Sequence, residues 1–111
     1  MIKIKEKVYG YELLYFDNIK DCDDYMKKND MVRDGGEDAF SFVMEDYSTA
    51  IVMVHNNYSP EMFYAEIAHE LMHVVFEIMR RVPIELKEGS EEAYTYLHTY
   101  YMYELLKKLK K

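Results

Sequence analysis

The sequence predicts an α+β fold, with a small, mainly antiparallel sheet of about three strands, one surface helix and two long packed helices. Short runs rich in Val, Ile, Phe and Tyr fill the first half of the chain, and two long stretches with helix-start signals fill the second half. A chain of 111 residues has the usual size of one domain, so we expect a single domain over residues 1–111. Half of the residues are hydrophobic and only four are Gly, which excludes a disordered chain.

The first half of the chain predicts three strands and the surface helix. Residues 8–16 are aromatic and β-rich, which is typical of a strand. A sparse apolar pattern predicts a helix from Ile19 to about Arg33, closed by Gly35-Gly36. The runs Phe40–Met44 and Thr49–His55 are short and apolar with a polar four-residue connection between them. We therefore expect these two runs to pair as an antiparallel hairpin.

The first long helix has clear start and stop signals. Ser59 is suited to cap it, and Pro60 fills the first helical position without losing a needed hydrogen bond. The helix is expected to run to about Arg81 or Val82. Pro83 then ends it, because the residue before a proline is disfavoured in the helical region.

The second long helix is expected to start at Ser90 as cap, with Glu91 and Glu92 in its first turn, and to reach the C-terminus. Four lysines near its end are suited to neutralise the negative end of the helix dipole. The oligomeric state is left open by the sequence. Four tyrosines of this helix are candidates for an interface: Tyr94, Tyr100, Tyr101 and Tyr103.

The charge of the chain limits its partners and its compartment. Twenty-one acidic against fourteen basic residues give a net charge of −7, which repels phosphate and excludes DNA and RNA as expected partners. The start lacks a secretory signal and no apolar run is long enough to cross a membrane. The single cysteine, Cys22, cannot form an intramolecular disulfide. We therefore expect a cytoplasmic protein without a membrane partner.

The motif that carries chemistry is His69-Glu70-Leu71-Met72-His73, an H-E-x-x-H pattern inside the first long helix. Residues four apart lie on one helix face, so both imidazoles are suited to bind one metal ion. Glu70 lies about 100° round the helix from His69 and is suited to reach a water on that ion. The competing interpretations are an inherited but inactive motif and a solvated polar stripe.

A catalytic zinc site normally has three protein ligands, so a third ligand is needed. The residues alone leave its identity open. Glu91 and Glu92 are the leading candidates, because an antiparallel second helix returns its first turns past the end of the helix that carries the motif. Acids in a first helical turn are also favoured by the dipole alone. Three further candidates stand behind them: Glu88, His98 and His55.

The motif, followed nineteen residues after His73 by Glu92-Ala93-Tyr94-Thr95-Tyr96-Leu97, resembles the gluzincins, the thermolysin-type zinc peptidases. The short chain is similar to their minimal members, the minigluzincins and small phage-encoded zincin-like proteins. The resemblance covers roughly residues 49–100 and implies a zincin-like fold. It departs from the family at Tyr96, where thermolysin-type enzymes carry an Asp that orients the first histidine.

The resemblance implies a zinc-dependent metallopeptidase. Its metal ligands are His69, His73 and Glu92, and Glu70 acts as the general base that activates water and passes the proton to the leaving amine. Tyr96 lies one helical turn past Glu92 and is a candidate donor to the oxyanion, with His98 and His55 as weaker candidates.

The expected partner is a peptide or protein substrate. In zincins the substrate adds as an extended strand along a sheet edge, and Thr49–His55 is expected to be that edge. An alternative is a catalytically silent zincin-fold protein that acts by binding a protein partner. A third hypothesis is a repressor-cleaving peptidase similar to the ImmA/IrrE group, which uses the same motif but usually has further helices.

Overall fold

The computed structural model describes residues 1–31, 39–46, 48–55 and 57–109. These residues form an α+β structure with a four-stranded mixed sheet, three helices and a short 3₁₀ turn at Glu88–Ser90. The strands are β1 (Ile2–Lys5), β2 (Glu12–Phe16), β3 (Ala39–Val43) and β4 (Thr49–Val54). The helices are α1 (Ile19–Lys28), α2 (Pro60–Arg81) and α3 (Glu91–Leu109).

The sheet order is β1-β2-β4-β3. β1 pairs antiparallel with β2, and β3 with β4, whereas β2 and β4 pair in parallel. The expectation of about three mainly antiparallel strands is therefore wrong in strand count. β1, with its alternating Ile-Lys-Ile-Lys sequence, is the strand that the sequence analysis missed.

The central position of β4 overturns a second expectation. Thr49–His55 was expected to be the open edge of the sheet, but β4 has a partner on both sides. The reason is the parallel pairing of β2 with β4, which joins segments far apart in the sequence, such as Leu14 with Ile51. Within the described chain the edge strand beside β4 is β3.

The alternation of side chains along β4 separates two cores. Val52 and Val54 contribute to the larger core, which α2 and α3 cover, and Ile51 and Met53 contribute to a smaller one, which α1 covers through Met26. Two long helices thus pack on one sheet face and the surface helix packs on the other. Among the described residues, no helix is both long and apolar enough to span a bilayer.

The helix α1 is shorter than expected. It starts as predicted at Ile19, with Asn18 accepting a hydrogen bond from the Asp21 amide at 2.8 Å. It ends at Lys28 rather than near Arg33, because the Asn29 side chain donates to the Tyr25 carbonyl at 2.8 Å and Asp30 is left-handed, with φ 55°. The predicted stop at Gly35-Gly36 lies outside the described residues.

The bounds of α2 are confirmed. Ser59 accepts a hydrogen bond from the Met62 amide at 3.3 Å, Pro60 is the first helical residue and the helix ends at Arg81. Ser90 lies in the turn before α3. Its hydroxyl accepts from the Lys87 amide at 3.1 Å and donates to the Glu85 carbonyl, so it holds the connecting loop.

The tyrosines of α3 hold the helix against the rest of the protein. Tyr100 donates to the Lys5 carbonyl at 2.7 Å and Tyr101 to the Tyr11 carbonyl at 2.9 Å. Tyr94 donates to the Ile84 carbonyl. Tyr94 and Tyr101 are buried, so the expectation that they belong to an interface is wrong, and Tyr103 is the one of the four that is widely exposed, at 61%.

Candidate metal centre

The helix α2 carries the H-E-x-x-H motif on its outward side. Its inner side is held by apolar residues that are fully buried, including Ile67, Leu71 and Ile78. His69 and His73 lie roughly opposite these residues on the helix circumference, and both are exposed. The packing of the apolar side thus orients both imidazoles away from the core.

The two imidazoles lie against each other. Their Nε2 atoms are 3.2 Å apart, and their ring centroids are 4.7 Å apart with the ring planes at 81°. Two nitrogen ligands about 2.05 Å from one tetrahedral zinc ion are separated by about 3.3 Å. The pair therefore fits a shared zinc ion, and without metal the same distance suits a hydrogen bond between one protonated and one unprotonated nitrogen.

Glu70 lies beside this pair and is largely buried. Its side chain is 10% exposed, and its Oε2 atom is 4.0 Å from His69 Nε2. A carboxylate at this distance from the His69 nitrogen is suited to accept a proton from a water that lies beside the two imidazoles. The motif thus combines two exposed nitrogen donors with one sheltered carboxylate.

An open groove of about 1160 Å³ adjoins Glu70 and His73. Its long sides are the edge strand β3 and the helix α2. The loop after α2 and the helix α3 also contribute to its lining, through Pro83, Ile84, Leu86 and Tyr94. All five residues of β3 line the groove, so an extended chain bound in it would lie beside the backbone of an edge strand.

No group of three His, Cys, Asp or Glu side chains converges on one point in the described chain. Glu92, which the family resemblance nominates as third ligand, is exposed and lines a separate groove on α3 together with Tyr96 and Tyr103. Glu91 is exposed at the start of α3 and Glu88 is exposed in the turn before it. The structure therefore brings His69, His73 and Glu70 together and leaves Glu92 apart from them.

The two remaining histidines have different surroundings. His98 Nε2 is 3.2 Å from the Ala68 carbonyl, so His98 contacts α2 directly before the first histidine of the motif. The sequence predicts His98 only as a secondary candidate for the third ligand and for the oxyanion donor. His55 follows the end of β4 and is half-buried.

Tyr96 is engaged away from the motif. Its hydroxyl donates to Glu6 Oε2 at 2.7 Å. This hydrogen bond, with a smaller contribution from burial, raises the pKa of Tyr96 to about 12. Glu6 is 2% exposed and also accepts from the amides of Val8 and Tyr9, each at 2.8 Å. The phenol predicted to assist an oxyanion thus anchors α3 to the β1–β2 connection.

Arg81 is a residue of this region that sequence reasoning missed. Its guanidinium donates to the carbonyls of Val43, at 2.9 Å, and Met44, and to Glu77 Oε2 at 3.3 Å. It therefore ties the end of β3 to the helix that carries the motif. The only signal in the sequence was a basic residue in the last helical turn, which the dipole alone explains.

The comparisons with known proteins give no match: no family model, no curated protein and no solved structure is similar to this chain at a significant level.

Proposed function

We propose that the protein is a zinc-dependent metallopeptidase of the gluzincin type. The observation that carries this proposal is the pair of exposed imidazoles of His69 and His73, with Nε2 atoms 3.2 Å apart, beside the sheltered carboxylate of Glu70. A solvated polar stripe needs no such convergence, because exposed side chains lose conformational entropy when they are held together.

A third ligand from the start of α3 completes the proposed site, and helix geometry favours Glu91 over Glu92. Tyr94 and His98 mark the side of α3 that faces α2, because the Tyr94 ring lies 5.8 Å from the Phe76 ring and His98 contacts Ala68. Measured from Tyr94, His98 lies at about 40° and Glu91 at about 60° round the helix. Glu92 lies at about 160°, on the outer side.

In the proposed reaction each residue has one task. The two histidines and the α3 acid would hold a zinc ion, which would supply Lewis acidity to the water and the scissile carbonyl. Glu70 accepts a proton from the attacking water and delivers it to the leaving amine. Glu70 is suited to this because its sheltered position keeps bulk water from competing for the proton.

The proposed substrate is an extended segment of a peptide or protein. β3 is an edge strand in the described chain and forms one side of the groove that contains Glu70 and His73. Backbone groups on a sheet edge bind an extended peptide by adding it as a further strand. A peptide bound there runs past Glu70, which supports cleavage of a main-chain amide.

Zinc binding and peptide cleavage test the proposal in two steps. Untagged protein is titrated with zinc by calorimetry, and we expect one site that is lost in His73→Ala. Glu70→Gln is expected to keep the zinc site and to lose about a hundredfold or more of the cleavage rate on a peptide library. Glu66→Gln, one turn earlier on the same helix side, is the matched control and is expected to change neither. Failure of the wild-type protein to bind zinc would contradict the proposal.

The third ligand is tested by a pair of neighbouring variants. Glu91→Gln is expected to lower zinc affinity by more than the roughly 10- to 100-fold that outer partners of a metal site contribute. Glu92→Gln is expected to leave the affinity nearly unchanged. The opposite ranking would return the assignment to Glu92, the residue that the family spacing nominates.

A second candidate function is a zincin-fold protein that binds a partner without cleaving it. The engagement of Tyr96 with Glu6 favours it, because this hydrogen bond keeps the phenol from assisting an oxyanion. This alternative predicts zinc binding without turnover, and an unchanged biological effect in Glu70→Gln.

A further inference from the structure

The helix α3 also carries exposed aromatic residues on the side that faces outward. Its inner side buries Tyr94, Leu97, Tyr101 and Leu105 in the larger core. On the opposite side, five residues recur at the spacing of a coiled-coil seam, four and three residues apart in turn, and we call them the outer stripe. The outer stripe consists of Glu92, Tyr96, Thr99, Tyr103 and Leu106.

The outer stripe is open where its aromatic residues lie. Tyr103 is 61% exposed and Tyr96 is 39% exposed. A solvent-facing helix normally shows one apolar side and one charged side, whereas α3 presents large aromatic rings on its outer side as well. Large exposed aromatic side chains on one stripe are characteristic of protein interfaces.

The surface of the outer stripe complements itself. A shallow groove of about 410 Å³ runs between Tyr96 and Tyr103, and the small side chains of Thr95 and Thr99 lie along it. If two copies of α3 pack antiparallel with a two-fold axis at Thr99, residue 103 of one copy lies opposite residue 95 of the other. Each Tyr103 then fits into the groove of the second copy, as a knob fits into a hole.

The charges of α3 favour the same antiparallel arrangement. The helix starts with Glu91 and Glu92 and ends with Lys107 and Lys108. Lys107 pairs with Glu104 of the same helix at 2.9 Å, and its Nζ lies 4.9 Å from the centroid of the Tyr103 ring, so this ammonium group lies beside the outer stripe. With a two-fold axis at Thr99, Glu92 of one copy lies opposite Leu106 of the other, so it is close to Lys107 of that copy. The dipoles of two antiparallel helices also attract each other.

We infer that the protein forms a two-fold symmetric dimer through antiparallel packing of the outer stripes of two α3 helices. The partner is a second copy of this chain, because the stripe complements itself in both shape and charge. The dimer needs neither metal nor turnover, so its test is independent of the proposed peptidase activity.

Sedimentation equilibrium of the metal-free protein over a range of concentrations tests the dimer. Wild-type protein is expected to dimerise. Tyr103→Glu is expected to weaken the dimer about a hundredfold, because each interface then buries two unpaired carboxylates. The matched control is Tyr64→Glu on α2, at a tyrosine that is 46% exposed outside the stripe, and it is expected to leave the dimer intact. A wild-type monomer, or a dimer that Tyr103→Glu leaves unchanged, contradicts the inference.

A charge exchange tests the antiparallel direction. Each single variant, Lys107→Glu or Glu92→Lys, creates two pairs of like charges across the two-fold interface. Each is therefore expected to weaken the dimer about tenfold. The double variant with both changes in one chain restores opposite charges and is expected to recover the wild-type affinity. In a parallel dimer each residue faces the same residue of the second copy, so Lys107 and Glu92 do not meet. Single variants that dimerise with wild-type affinity would therefore overturn the antiparallel arrangement. Circular dichroism of each variant checks that it is folded.

Discussion

Glu6 is the residue on which the first and last parts of the fold meet. Its carboxylate is 2% exposed and accepts three hydrogen bonds, from the amides of Val8 and Tyr9 and from the hydroxyl of Tyr96. A buried carboxylate needs such donors, because an unpaired charge away from water is costly. Tyr96 supplies the one donor that comes from a distant part of the chain.

Removing that donor is expected to destabilise the protein. Tyr96→Phe keeps the ring and deletes the hydroxyl, so one oxygen of Glu6 loses a hydrogen bond while it stays buried. We expect the free energy of unfolding to fall by about 1–3 kcal/mol. Urea denaturation followed by circular dichroism measures the change. Tyr64→Phe, at an exposed tyrosine of α2, is the control and is expected to stay within about 0.5 kcal/mol of wild type. Equal stability of the two variants would disprove the role of Tyr96.

Because of the same hydrogen bond, the free energy of unfolding is expected to depend on pH in the alkaline range. The pKa of Tyr96 is raised to about 12 in the folded protein, above the value of about 10 in unfolded chains. The folded state therefore holds this proton more tightly, and the stability it contributes is complete below pH 10 and lost as the pH rises towards 12. Denaturation midpoints measured across this range are expected to fall. In Tyr96→Phe the fall is expected to be smaller, and an identical fall would contradict this assignment.

At the residue scale, the sequence predicts the part of the candidate site that lies within a single helix. The spacing of His69 and His73 puts both on one side of α2, and their Nε2 atoms lie 3.2 Å apart. The third ligand depends on how α3 is rotated about its own axis against α2. That rotation is set by the packing of Tyr94 and the contact of His98 with Ala68, which spacing along the chain does not encode.

At the scale of elements, the contact between α2 and β3 determines the shape of the candidate site. The side chain of Arg81 is 14% exposed and donates to the carbonyls of Val43, the last residue of β3, and of Met44, which follows it. An edge strand has a neighbouring strand on one side only, and the contact with Arg81 adds to the pairing with β4 in holding the end of β3. The width of the groove between β3 and the motif therefore depends on Arg81.

Replacing Arg81 is expected to loosen β3. Arg81→Ala removes the donor of the Val43 and Met44 carbonyls and leaves Glu77 with Arg80 alone, and we expect a loss of about 2–4 kcal/mol in stability. Hydrogen exchange followed by mass spectrometry is expected to show faster exchange of the β3 amides. Arg80→Ala is the control, because Arg80 is 72% exposed at its side chain and pairs with Glu77 on the same helix. Arg80→Ala is expected to lower the free energy of unfolding by about 0.5 kcal/mol or less. Equal protection of β3 in both variants would show that Arg81 does not hold the strand.

The elements also show where sequence reasoning stops. The start and end of α2 are local signals, Ser59, Pro60 and Pro83, and they were predicted correctly. The edge of the sheet was predicted wrongly, because β4 gains its second partner from β2 across a parallel pairing. Such a pairing is specified by the packing of side chains from remote segments, so a strand's own sequence does not reveal whether it is central.

At the scale of the whole molecule, the sheet separates two cores of unequal size. The larger core lies under α2 and α3, and the smaller one lies under α1 around Cys22 and Met26. A helix of ten residues is too short to be stable alone, so α1 depends on this small contact. We expect the side of the molecule that carries the candidate site to resist local unfolding more strongly than the side that α1 covers.

The buried thiol of Cys22 tests this difference. Cys22 is 0% exposed, so a thiol reagent reaches it only when α1 opens. We expect labelling to accelerate at denaturant concentrations below the transition at which the circular dichroism of the long helices is lost. Labelling that rises together with that transition would show instead that the two cores unfold as one unit.

The hydrogen bonds that join α3 to β1 and to the turn after β1 have a consequence for biosynthesis. Glu6 binds Tyr96 and the Lys5 carbonyl binds Tyr100, so partners separated by about ninety residues must meet. A nascent chain leaves the ribosome with its N-terminal strand first and the tyrosines of its last helix late. The strand β1 and the turn after it therefore gain these anchors only once α3 has been synthesised.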